Sequence, residues 1–132
     1  MIEKIEHDGK LFAIILRSGF EMDGVNFFTP EDNPLQLGVL KYEKGVEIRP
    51  HVHKNSVKTI KKIQEVLHIM YGKIEASFYN ITGEKVGSSI LNVGDTILLL
   101  DGGHGFRILE NSKILEIKQG PYLGPDKDKE RL

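Results

Sequence analysis

Cysteine is absent from this sequence of 132 residues. Its absence excludes disulfides, thiolate nucleophiles and sulfur-ligated zinc, so any bound metal ion would be held by nitrogen and oxygen atoms. No apolar run approaches the roughly 20 residues that a transmembrane helix needs, so we expect no membrane partner. The opening residues MIEKIEHDGK carry acids and lack the apolar core of a signal peptide. We therefore expect a cytoplasmic protein.

An excess of charge of one sign is also lacking. Lysine and arginine number 18 and the acids 19, so the formal net charge is −1. That balance gives no reason to expect a nucleic-acid partner or binding to an anionic membrane. Hydrophobic residues make up 39% and charged residues 28%, which is typical of a globular chain that buries a core.

Glycine, by contrast, is frequent, and its 14 residues separate short apolar runs. This spacing predicts an all-β domain of roughly ten short strands joined by turns, in a sandwich or a barrel. The segments 21–34 and 56–64 are predicted to be loops, and Gly83 is predicted to form a hairpin turn. We predict a single domain, 1–132, with three parts: an N-terminal strand and loop in 1–34, a barrel core in 35–120 and a charged tail in 121–132.

The stretch GVEIRPHVHKNS, at 45–56, contains two histidines one residue apart. Alternate side chains of a strand point to the same face. If 46–53 forms a strand, its polar face carries Glu47, Arg49, His51 and His53. That face would be either a solvent-exposed surface or the lining of a polar cavity.

Two further residues favour the cavity. Glu65 opens the apolar strand EVLHIMYG and shares a face with Leu67 and Ile69, so we expect it to be buried and to need a partner. His104 lies in a predicted glycine-flanked turn after another apolar strand. Three imidazoles and a carboxylate are typical ligands of a first-row divalent metal ion, with one or two positions left open. The predicted ligands of one zinc, nickel, manganese or iron ion are His51, His53, Glu65 and His104.

These residues resemble the first motif of the cupin superfamily of small β-barrels. The motif is a glycine, five residues, His-x-His, a spacer, a glutamate, six residues and a glycine. It corresponds here to Gly45, His51, His53, Glu65 and Gly72. The spacer 54–64 is longer than the family pattern, and we interpret it as a loop insertion over the mouth of the cavity.

The second cupin motif is matched less completely. Gly94 begins it and Gly102 fills its later glycine position. Leu100 replaces the motif's proline, His104 comes one residue early, and no asparagine follows at the motif's spacing. Together the two motifs place the resemblance over about 35–120.

The resemblance implies a cupin-type barrel, also called a double-stranded β-helix or jelly roll, that forms a homodimer. The chain is also similar to a narrower group of small bacterial cupins, through QEVL at 64–67, the G…FY strand at 72–79 and KQGPY at 118–122. That similarity implies a sugar or sugar-nucleotide ligand in surface-polysaccharide metabolism. Side chains that we expect to bind a carboxylate or phosphate of such a ligand are Arg49, Arg107 and Lys118.

Whether the protein is an enzyme stays open at this point. A metal ion acting as a Lewis acid would suit an isomerase or epimerase, and a ferrous ion would suit a dioxygenase. One alternative is a cupin that binds a small molecule without turnover. Another is a metal-free sugar-nucleotide epimerase with a histidine base and a tyrosine acid, although Glu65 has no evident use in such a site.

Overall fold

The computed structural model describes residues 1–132 as two compact units, one of Met1–Phe20 with Ile63–Leu132 and the other of Glu21–Lys62. Ten antiparallel strands and one helix of four residues confirm the predicted all-β class. No helix has the length and apolar character required to cross a membrane. None of the sheets closes on itself, so the cupin barrel stays a prediction.

The elements follow one another along the chain as β1 (Ile2–His7), β2 (Lys10–Leu16), β3 (Gly24–Phe27), β4 (Gly38–Lys41), β5 (Glu65–Tyr71), β6 (Lys73–Tyr79), β7 (Lys85–Asn92), β8 (Thr96–Leu99), β9 (Gly103–Ile108), β10 (Lys113–Lys118) and α1 (Pro125–Asp128). Most of the predicted strands are present, and the predicted turn at Gly83 joins β6 to β7. The prediction that 21–34 is wholly a loop was wrong, because β3 pairs there with β4.

The first unit consists of two sheets that face each other across an apolar core. One sheet has the order β1-β2-β8-β5-β10 and the other the order β7-β6-β9. Alternate residues of their strands point inward, as the period of a strand requires. The core contains Phe12, Ala13, Ile15, Leu67, Ile69, Ile74, Ala76, Phe78, Leu91, Ile97 and Leu99. Burying the larger of these side chains stabilises the fold by about 1.5–3 kcal/mol each, so this core stabilises the packing of the two sheets.

The second unit contains the β3–β4 hairpin and then a long segment without strands. Every residue from 40 to 62 is exposed, and no residue of this unit is buried. The prediction of a strand over 46–53 was therefore wrong. An extended segment becomes a strand only when a neighbour accepts and donates its backbone hydrogen bonds. Here Val46 instead donates its N–H to the Glu43 carbonyl in a turn, and Pro50 has no N–H to donate.

His104 was predicted in a turn, but it lies inside β9. The turn comes earlier, at Asp101 and Gly102. Gly102 has a φ of 69°, and a Cβ there would lie 2.6 Å from the Tyr79 carbonyl oxygen. Only glycine combines that conformation with such a close approach, so the chain can turn directly into β9.

Candidate functional site

Glu65 and His104 meet at the end of the core of the first unit. Glu65 begins β5 and shares the inward face with Leu67 and Ile69, as predicted. His104 lies opposite Phe78 in the β6–β9 pair and therefore also points inward. Nε2 of His104 lies 2.8 Å from Oε1 of Glu65, and the two side chains are 31% and 15% exposed. The two sheets thus bring an imidazole and a carboxylate into a direct hydrogen bond.

Strand β10 adds two charged side chains to the same face. Lys118 is opposite Glu65, and Glu116 is opposite Leu67, in the antiparallel pair of β10 with β5. This register brings the carboxyl group of Glu116 near that of Glu65, so each group affects the acidity of the other. Sequence reasoning missed Glu116, because its role depends on the register of two strands that lie far apart in the chain.

The two carboxyl groups differ in acidity. The hydrogen bond from His104 lowers the pKa of Glu65 to about 2, even though burial acts in the opposite direction. The neighbouring Glu65 carboxylate and partial burial raise the pKa of Glu116. With a pKa of about 2, Glu65 is ionised at neutral pH, and His104 is its hydrogen-bond partner.

A cavity of about 650 Å³ opens beside this pair. Its volume falls within the range of small-molecule sites. The cavity is lined by Ile63, Glu65, Tyr79, Ile81, Gly83, Gly102, Gly103, His104, Lys118 and residues 128–132. The wall therefore combines apolar side chains with a histidine, carboxylates and ammonium groups. A wall of this mixed composition suits a small polar ligand.

Two of the three predicted ligand-binding cations belong to the first unit. Lys118 lines the cavity, where its Nζ lies 3.0 Å from Asp128 Oδ2, and this hydrogen bond raises the pKa of Lys118. Arg107 instead lies on the other face of β9 from His104, 3.2 Å from Glu75. Its side chain is 74% exposed and does not line the cavity. This position does not support the predicted role of Arg107 in ligand binding.

The other predicted residues lie in the second unit. His51 and His53 are neighbours, with ring centroids 5.3 Å apart. Nδ1 of His51 lies 2.8 Å from the carbonyl oxygen of Arg49, which leaves Nε2 of His51 available to a ligand. All three residues are exposed.

The chemistry of these donors suits a divalent metal ion, but each unit provides only one pair. Glu65 and His104 offer an oxygen and a nitrogen donor, and His51 and His53 offer two nitrogen donors. No group of three or more His, Asp or Glu side chains is positioned to hold a metal ion. The prediction that all four residues bind one ion stays a prediction.

No family model matches the chain, and searches of curated proteins and of solved structures gave no match. Membership of the cupin superfamily stays a prediction from the two motifs.

Proposed function

We propose that the protein binds a small polar molecule in the cavity beside Glu65 and His104, together with a divalent metal ion held in part by these two side chains. The observation that carries the proposal is their meeting at 2.8 Å in the wall of a cavity of about 650 Å³. Carboxylate oxygen and imidazole nitrogen are both common ligands of first-row divalent metals. The resemblance of the motifs to those of cupins leads us to propose a sugar or sugar nucleotide as the ligand.

A bound metal ion would supply Lewis-acid chemistry toward a carbonyl or hydroxyl group of the ligand. The side chains around the pair have separate tasks. Glu116 lies on the same face as Glu65, at the place where an outer partner could orient that carboxylate, as such partners do for metal ligands. Lys118, on the same face, places a positive charge in the cavity wall.

Calorimetric titration with zinc and with nickel tests the metal part of the proposal. We expect one ion per chain, and we expect Glu65→Gln and His104→Gln each to weaken binding by tenfold or more. Glu75→Gln is the matched control, since Glu75 lies in the sheet of His104 but pairs with Arg107 on the other face. Full affinity in both site variants would refute the assignment. The double variant His51→Ala/His53→Ala separately tests the four-ligand prediction.

A second candidate is metal-free acid–base catalysis on a nucleotide-linked keto sugar. The observation in its favour is that Glu65 already has a partner in His104, so the carboxylate can orient the imidazole as a base without an ion. Tyr79 lines the same cavity and would provide the acid. Protein treated with a chelator should then still exchange solvent deuterium into the sugar, and His104→Gln should not. Tight binding of the sugar with no exchange or product would identify a binding protein instead.

We also propose that the protein forms a homodimer, which the resemblance to cupins implies. β10 is an edge strand of the five-stranded sheet, and its Leu115 and Ile117 are 49% and 54% exposed. An apolar edge strand is prone to pair with another chain unless it is covered, and a second copy would cover it. Sedimentation equilibrium should give twice the chain mass, and Ile117→Lys should give a monomer.

A further inference from the structure

The segment that follows β10, here called the C-terminal segment (121–132), forms one wall of the cavity. Residues 128–132 line the cavity together with Gly103 and His104 of β9. The side chain of Leu132 approaches Gly103 so closely that a Cβ at Gly103 would collide with it. The C-terminal segment therefore occupies space next to His104 that a ligand would enter.

Lys118 and Asp128 hold this segment in place. Nζ of Lys118 lies 3.0 Å from Oδ2 of Asp128, and the two side chains are only 21% and 16% exposed. The same ammonium lies 5.3 Å from the centre of the Tyr122 ring. The helix in this segment adds little to its stability, because α1 has four residues, buries none of them and lacks a side-chain cap. A segment with so few contacts opens at low free-energy cost.

We propose that Asp128 occupies the place of an anionic group of the ligand, and that this group displaces Asp128 from Lys118 when the ligand binds. This inference rests on the proposed function, since it concerns the same cavity. A carboxylate on an ammonium group is the contact that a phosphate or carboxylate of a ligand would make. Glu65 cannot take over from Asp128 as freely, because it is hydrogen-bonded to His104. The ligand class is thus an acidic small molecule, and its binding releases the C-terminal segment.

Two parallel NMR titrations test the inference, one with inorganic phosphate and one with acetate, followed at the backbone amides of Gly103 and His104. We expect Asp128→Asn to bind the preferred anion about two- to fivefold more tightly than the wild type, since the anion no longer competes with an internal ion pair. Whichever anion gains more identifies phosphate or carboxylate as the group. Adding Lys118→Met to Asp128→Asn should abolish the gain.

Asp126→Asn is the matched control, because it removes the same charge from the same helix at an exposed position away from Lys118. An equal gain in Asp126→Asn, or no gain in Asp128→Asn, would overturn the inference. Titration of Asp128→Asn with zinc and nickel distinguishes a failure of this inference from a failure of the proposed function. If Asp128→Asn binds metal normally but shows no gain for either anion, the displacement is wrong and the proposed function stands.

Amide hydrogen exchange gives a readout that does not depend on affinity. Saturating anion should speed exchange in 121–132 of the wild type, and Asp128→Asn should exchange quickly there even without anion. Slower exchange in this segment on anion binding would show that the segment closes over the ligand, which contradicts displacement.

Discussion

The two pairs of candidate ligands lie in contrasting surroundings. Glu65 and His104 belong to paired strands whose register fixes both side chains on the core face of the first unit. His51 and His53 belong to a segment of the second unit without strands, where every residue from 42 to 62 is exposed. Motif spacing identified suitable donor atoms in both places. A defined geometry, however, arises only where other strands provide hydrogen bonds and apolar side chains provide packing.

The sharpest test of this contrast compares Phe78→Ala with Val57→Ala. Phe78 is 1% exposed in the core of the first unit, and Val57 is 99% exposed in the second. Removing a buried phenyl ring costs about 3–5 kcal/mol of unfolding free energy, from lost burial and from the cavity it leaves. The change at Val57 should stay within about 0.5 kcal/mol. Urea unfolding measures both, and a large effect at Val57 would mean that the segment packs against something in solution.

A smaller effect should separate the histidines themselves. His104→Ala removes the partner of a carboxylate whose side chain is only 15% exposed, and an unpartnered buried acceptor of this kind costs about 1–3 kcal/mol. His53→Ala should change the unfolding free energy by less than about 0.5 kcal/mol, because the residue is exposed. Equal changes in the unfolding free energy, measured in urea, would contradict the difference in surroundings between the two histidines.

Acid unfolding should show the ionised state of Glu65. Its folded pKa, lowered to about 2, is below the value of an unfolded chain, so its contribution is present above about pH 4.5 and is lost as the pH falls toward 2. Glu116, with a raised pKa, acts in the opposite sense and reduces the net effect. We expect wild type to lose about 1–2 kcal/mol more than Glu65→Gln over this range. Parallel stability curves for the two proteins would contradict the ionised assignment.

The sequence predicted the strands of the first unit better than those of the second for a physical reason. The apolar segments of β2, β5 and β6 match sheets that bury them, so their local pattern and their surroundings agree. Polar and apolar residues alternate over 46–53 in the same way, but this segment has no strand to pair with. The strand prediction therefore fails there. The inward direction of Glu65 followed from the period of its own strand.

The site was only partly predictable. The partnership of Glu65 with His104 requires two strands that belong to different sheets, and the contact of Glu116 requires the register of β10. The pairing of Lys118 with Asp128 depends on the path of the chain after β10. None of these relations leaves a local pattern in the sequence.

We propose above all that the Glu65–His104 pair is the ligand-binding centre of the protein. The most direct measurement follows the ring signals of the five histidines by NMR while zinc is added to metal-free protein. We expect the His104 ring signal to shift and to reach its end point at one equivalent, while the signals of His7 and His68 stay unchanged. If the His51 and His53 signals also shift with the first equivalent of zinc, the prediction that all four residues bind one ion is supported. A His104 signal that stays unchanged at saturating zinc would contradict the claim.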